Sequence, residues 1–159
     1  MTAPPTNRSA APGPVAPTLV YADVSAAITW LCQTFGFRER FRYGPPERPE
    51  GAQLAVGAGA VFLTRARQGQ SPTWGDPAAL APPRPGEVTH LISVHVTDVD
   101  AHFARARQHG AHILHPPETH PFGERQYTAE DLGGHRWTFT QSVADVAPED
   151  WGGQTASPS

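Results

Sequence analysis

The chain predicts an α+β fold of two βαβββ modules, and three observations carry that reading. The stretch LVYADVSAAI in the first half resembles VHVTDVDAHF in the second, with Asp23 and Asp98 offset by 75 residues. Gly59 and Gly134 share that offset, and each introduces a strand-like run, GAVFLT and GHRWTF. Two anchors at one spacing mark an internal repeat. Each half also reads in the same order, as a strand, an acidic residue, a helix and three further strands.

Taken in order, residues 1–16 are rich in Pro, Ala and Thr and read as a disordered arm. The first module spans 17–66. Its strand at 18–22 leads to Asp23, whose carboxylate can satisfy the free N–H groups of a helix start. Val24, Ala27, Ile28, Leu31 and Phe35 then line one helical face. Strands are expected at 37–43, 53–56 and 60–64. Residues 67–87 are dense in turn formers and read as a crossing loop, of a length that is often functional. The second module, 88–141, opens with a strand at 91–96. Asp98 precedes a helix with Val99, Phe103 and Ala106 on one face, and Gly110 ends it. Strands are expected at 111–115, 125–130 and 135–141. In the tail, 142–159, Val143, Val146 and Trp151 can dock on the body, and the residues beyond read as loose. The whole of 17–141 reads as one domain.

Composition removes several functions. The chain of 159 residues has a net charge of −3 and its cations are all Arg. Without lysine there is no Schiff-base amine and no phosphate-loop Lys. The negative balance argues against nucleic-acid binding. No apolar run is long enough to cross a membrane, and the start lacks the pattern of a secretory signal. The single cysteine, Cys32, forms no internal disulfide, which fits a cytoplasmic setting, and it reads as a packing residue. Neither a Ser-His-Asp or Cys-His nucleophile signature nor a dinucleotide-binding glycine pattern is present.

The segments VHVTDVDAHFARARQHGA and PFGERQYTAEDLGGHRWTF resemble the vicinal oxygen chelate superfamily, the glyoxalase/bleomycin-resistance group. In the second segment Leu132 stands where that group usually has Pro. VYADVSAAITWLCQTFGF carries the resemblance in the first half, and about 120 residues are covered in all. The resemblance implies curved mixed sheets around a cleft, usually completed in a homodimer. It also implies a choice among metal-dependent lyases, isomerases, dioxygenases and thiol transferases, and metal-free proteins that sequester antibiotics. Fold alone does not decide among these.

Strand alternation assigns the cleft lining. Trp137 and Phe139 should pack on a helix, leaving Arg136, Thr138 and Thr140 to face the cleft. The resemblance puts a metal-binding Glu at the position of Thr138, and a neutral hydroxyl is a poor substitute. Carried through the repeat, the same phase puts Val61 and Leu63 on the cleft side, together with Val20 from the first strand and Ser93 and His95 from the fifth. His90 lies one residue out of phase with a family ligand and is the alternative contact for a divalent metal. The imidazoles of His109, His112, His115 and His120 read as solvated surface groups, and Arg105 and Arg107 as a solvated helix face. Trp74 in the crossing loop and Phe122 can stack on a planar ligand. Arg125 can reach it.

The reading that results is metal-independent binding of a small apolar or aromatic molecule, in the manner of a bleomycin-resistance protein, with no cofactor. Its ligand-contacting residues would be Val20, Val61, Leu63, Trp74, Ser93, His95, Phe122, Arg125, Arg136 and Thr138. One alternative is a glyoxalase-like lyase or isomerase. It would use either a divalent metal, or His95 or Tyr127 as proton donor or acceptor. A further alternative is a non-catalytic interaction protein whose cleft is filled by its own Pro-rich arm or crossing loop.

Overall fold

The structure, a computed structural model, describes residues 6–68 and 79–157. They form an α+β arrangement of two units, each holding one four-stranded mixed sheet. Unit 1 comprises Met1–Ile28 and Phe37–Ala81, and unit 2 comprises Thr29–Gly36 and Pro82–Ser159. The elements of the first half are β1 (Thr18–Tyr21), α1 (Val24–Phe35), β2 (Arg38–Tyr43), β3 (Gly51–Val56) and β4 (Gly59–Arg65). Those of the second are β5 (Leu91–His95), α2 (Val99–Gln108), β6 (His112–Thr119), β7 (Glu124–Glu130) and β8 (Arg136–Ser142), followed by a 3-10 turn at Pro148–Trp151. The division gives the last two turns of α1 to unit 2.

The sheets have matching orders, β1-β4-β3-β2 and β5-β8-β7-β6. In each, the first strand of the half runs parallel to its neighbour and the other pairs are antiparallel. The helix starts follow the expected chemistry. Asp23 Oδ1 accepts from the N–H of Ala26 at 3.0 Å, and Asp98 Oδ1 from that of Ala101 at 2.9 Å. Arg105 is exposed on α2, as expected, and it is also engaged. It reaches the end of α1, where its Nε donates to Gln33 O at 2.9 Å and its Nη2 to Cys32 O at 3.1 Å. Two carbonyls of the last turn of α1 each receive a guanidinium donor in this way.

The core of unit 2 is aromatic. Trp137 and Phe139 are fully buried, with Tyr127 and Ala129 beside them on the same face of the sheet. The Phe139 ring lies 4.7 Å from Phe35, 4.2 Å from His102 and 5.1 Å from Tyr127 between centroids. The Tyr127 hydroxyl is 2.6 Å from His102 Nδ1, and His102 Nε2 is 3.0 Å from Phe35 O. The carbonyl can only accept, so Nε2 carries the proton and Nδ1 accepts from the phenol. This is neutral histidine, in agreement with a pKa lowered by burial against the opposing pull of the Phe35 carbonyl.

A depressed histidine pKa means that the unfolded chain takes up a proton first on acidification. The His102 contribution is therefore fully present above its ordinary value near 6.5 and is lost as pH falls below it, until the folded state protonates too. Urea midpoints measured between pH 7.5 and 5.5 are expected to fall more steeply for the native chain than for His102→Gln. Equal slopes would refute the assignment.

In unit 1 the buried face carries Leu19 and Tyr21 of β1, Ala52 and Leu54 of β3, and Val61 and Leu63 of β4. The last two correct the sequence expectation. Leu19 pairs with Leu63, whereas its repeat equivalent Val94 pairs with Phe139, so the fourth strands are offset by one residue more than the first strands. A one-residue slip turns every side chain of a strand to the other face. Phe62, not Leu63, is thus the counterpart of Thr138. The cause is the final hairpin. Val56 pairs with Gly59 across a tight turn in which Gly57 has φ +55, whereas Glu130 pairs with Arg136 across a longer connection.

Candidate functional site

Each sheet has one face packed as core and one opposite face free of helix. In unit 2, α2 packs on β6, β7 and β8. Ladder partners share a face, so Leu91, Ser93 and His95 of β5 stand with Arg136, Thr138 and Thr140 of β8 on the side opposite Trp137 and Phe139. The same pairing sets Glu124, Gln126, Thr128 and Glu130 of β7 beside them.

This face is built from hydrogen-bonded polar groups. The Thr128 and Thr138 hydroxyls lie 3.2 Å apart. Glu124 Oε2 accepts from Thr140 Oγ1 at 2.6 Å and from Gln126 Nε2 at 2.8 Å, and His95 Nε2 lies 4.0 Å from Oε1. The Thr140 bond, helped by those of Gln126 and the nearby His95 and His120, holds the Glu124 carboxyl below its usual range in spite of partial burial. Glu124 is therefore an ionised acceptor in a fixed orientation beside an exposed imidazole. Glu130 bridges His112 Nδ1 at 3.4 Å and Arg136 Nε at 3.5 Å, so Arg136 is held by an ion pair longer than a good hydrogen bond.

The helix-free face of unit 1 is different. Thr18 and Val20 share it with Phe62 and Thr64, and Gln53 pairs with both Phe62 and Phe41. It is an aromatic surface with one fully buried amide in the middle.

The residues expected to contact a ligand are distributed as follows. Ser93, His95, Arg136 and Thr138 are on the helix-free face of unit 2, and Val20 is on that of unit 1. Val61 and Leu63 are core residues on the opposite face. Arg125 is on the helix side of β7, bound to Asp100 of α2 by two hydrogen bonds of 2.8 and 2.9 Å, a paired geometry that accounts for its lack of reach to the other face. Tyr127, the alternative acid or base, is buried on the same side, and burial raises its pKa well above the usual phenol value. Phe122 is half-buried and stacks on His120 at 5.0 Å, with Trp151 edge-on at 5.6 Å. Trp74 lies outside the described residues. His90 precedes β5, exposed, with Nδ1 3.3 Å from Thr89 Oγ1. The sequence reading missed Glu124, Gln126, Gln53 and Phe62. Alternation alone could have found the two on β7, because Glu124 and Gln126 are out of phase with Tyr127.

The resemblance puts a metal-binding carboxylate at the position of Thr138. That residue offers a neutral hydroxyl, paired in register with Ser93 and 3.2 Å from the Thr128 hydroxyl. Among the described residues no group of three or more His, Cys, Asp or Glu side chains is placed to hold an ion. A hydroxyl in place of the carboxylate is a poor ligand for a divalent cation.

Comparison with known proteins supports the fold and its superfamily. The model of the Glyoxalase/Bleomycin resistance protein/Dioxygenase superfamily matches residues 13–139. An uncharacterized protein of Mycobacterium bovis is 30% identical over 133 residues, covering 83% of this chain and 85% of that protein. The crystal structure of TioX from Micromonospora sp. ML1 is similar with a TM-score of 0.64 and 34% identity, over 82% of this chain and all of that one. A glyoxalase/bleomycin resistance protein/dioxygenase from Nocardioides shares the fold, with a TM-score of 0.63 at 20% identity, over 98% of this chain and 93% of that one.

Proposed function

The chain belongs to the glyoxalase/bleomycin resistance protein/dioxygenase superfamily, and within it we propose a protein that binds a small aromatic or largely apolar molecule without a metal and releases it unchanged. The observation that carries this reading is Thr138. On β8, beside Ser93 and Thr128, the position where the resemblance implies a metal-binding carboxylate is held by a hydroxyl whose partner is another hydroxyl. Such groups orient a ligand but do not polarise it as a cation would. Affinity would come from apolar and aromatic surface, with His95, Arg136 and Ser93 fixing orientation. Burying about 300 Å² of ligand apolar surface at roughly 25 cal/mol/Å² supplies on the order of 7 kcal/mol before binding costs, which suits micromolar binding. Sequestration of an antibiotic, a homodimeric state and a cytoplasmic setting complete the proposal. Among the described residues no helix is long and apolar enough to cross a membrane.

The test is equilibrium dialysis against bleomycin and a panel of planar aromatic antibiotics, with the compound recovered and weighed by mass spectrometry. Saturable binding with unaltered compound is expected. Thr138→Trp, which fills the face without entering the core, is expected to weaken binding at least about tenfold, or ~1.4 kcal/mol. Altered compound, or no binding by any member of the panel, would refute sequestration.

One observation favours a second reading, an acid–base enzyme. His95 stands 4.0 Å from a carboxylate that Thr140 and Gln126 hold in place, an arrangement that can orient an imidazole for proton transfer. In that case His95→Asn would abolish turnover and leave binding intact.

A further inference from the structure

The N-terminal segment is tied to the helix-free face of unit 1. Arg40 Nη1 donates to Ala10 O at 2.8 Å and Nη2 to Arg8 O at 3.2 Å, and Gln53 Nε2 lies 3.4 Å from Ser9 O. Three successive carbonyls thus meet one guanidinium and one amide. Asn7 shapes the segment for this, since its side chain accepts from Ser9 N at 3.0 Å and its carbonyl from Ala10 N at 3.1 Å.

The receiving groups are oddly placed for a purely structural contact. Gln53 is fully buried in a central strand, flanked in register by Phe41 and Phe62, and among the described residues its Oε1 has no hydrogen-bond partner. A buried acceptor without a donor is costly. Arg40 sits at the bulge between Glu39 and Phe41. Its neighbour Glu39 is already held by Arg42, at 2.6 and 2.8 Å. The Arg40 charge therefore faces neutral carbonyls, where a forked guanidinium would bind a carboxylate more strongly.

We propose that residues 8–10 occupy, within the same chain, a binding site for a planar aromatic acid. Arg40 and the Gln53 amide N–H would take the carboxylate, a hydroxyl on the ring would donate to Gln53 Oε1, and Phe41 and Phe62 would flank the ring. Binding requires the segment to leave, so it acts as a built-in competitor. This deepens the ligand-binding reading and rests on it.

The test uses the full-length protein. Arg8 is the first basic residue of the chain, so trypsin cleavage after it reports release of the segment. Cleavage at other sites controls for general loosening. Salicylate is expected to accelerate cleavage after Arg8 severalfold, and phenol, which lacks the carboxylate, is expected not to. Arg40→Gln is expected to be cleaved rapidly without any addition and to bind salicylate at least tenfold more weakly. The proposal is overturned if salicylate binds without changing the Arg8 rate, if Arg40→Gln is cleaved at the native rate, or if salicylate binds neither protein. The broader ligand-binding reading fails separately, when neither the native chain nor Arg40→Gln retains any antibiotic of the dialysis panel.

Discussion

Replacing Phe139 by alanine is expected to destabilise the protein by about 3–5 kcal/mol, whereas Thr138→Ala, one residue away, is expected to cost less than about 1 kcal/mol. The contrast follows from strand alternation. Phe139 is fully buried, and its ring meets Phe35, His102, Tyr127 and Trp137. Truncation would remove its apolar area from the core and leave a cavity that rings held on four elements cannot easily fill. Thr138 is half-buried and would lose one hydroxyl partner, Thr128, on a face where solvent can replace it. Urea unfolding of both variants, followed by circular dichroism, decides the matter. Equal losses would mean that β8 is turned over, and Thr138 and Arg136 would then no longer be candidates for a ligand face.

Most of the fold was legible because the apolar pattern and the turn chemistry agree in both halves. Val24, Ala27, Ile28, Leu31 and Phe35 are all buried as their helical spacing predicts. Asp23 and Asp98 both cap as expected. Trp137 and Phe139 set the phase of β8 correctly, because two large aromatics on alternate positions leave a single choice of buried face. The phase of β4 was not legible in the same way. In GAVFLT, Val61 and Leu63 on one side and Phe62 on the other are all apolar, so alternation carries no information, and the repeat offset decided it wrongly by one residue. Arg125 and Tyr127 misled for another reason. A charged residue on a helix-facing strand position is unexpected unless its partner is known, and Asp100 lies 25 residues earlier in the chain. The contacts of Arg40 and Gln53 with residues 8–10 likewise join parts of the chain too distant for any periodic pattern to connect.

The helix-free faces differ in kind, and that difference bears on function. Unit 1 offers Phe41 and Phe62 around a single amide, whereas unit 2 offers hydroxyls, an imidazole and two carboxylates that are already paired. Aromatic surface supplies affinity with little direction. Fixed hydrogen-bonding groups supply direction with little net affinity, since each exchanges a bond to water.

Asp131→Ala is expected to cost about 3–5 kcal/mol, because three donors lose their acceptor at roughly 1–3 kcal/mol for each one left buried and unsatisfied. Asp131 is buried at the start of the final hairpin. Its Oδ1 accepts from Gly133 N at 2.8 Å and His135 N at 3.0 Å, and its Oδ2 from Trp137 Nε1 at 2.9 Å. One carboxylate thus closes the turn and ties the first core aromatic of β8 to it. The connection is longer than its counterpart before β4, and the phase of β8 depends on where that connection ends. Asp131→Asn separates the two roles. Its amide oxygen can still accept from both backbone N–H groups, but the –NH₂ would then point a donor at the indole donor. An intermediate loss of about 1–3 kcal/mol is expected, with the Trp137 indole N–H shifted in the NMR spectrum while the Gly133 and His135 amides stay protected from exchange. In Asp131→Ala all three should lose protection together. If the alanine variant unfolded within about 1 kcal/mol of the native chain, the turn would not be what holds Arg136 and Thr138 outward, and the helix-free face of unit 2 would need another origin.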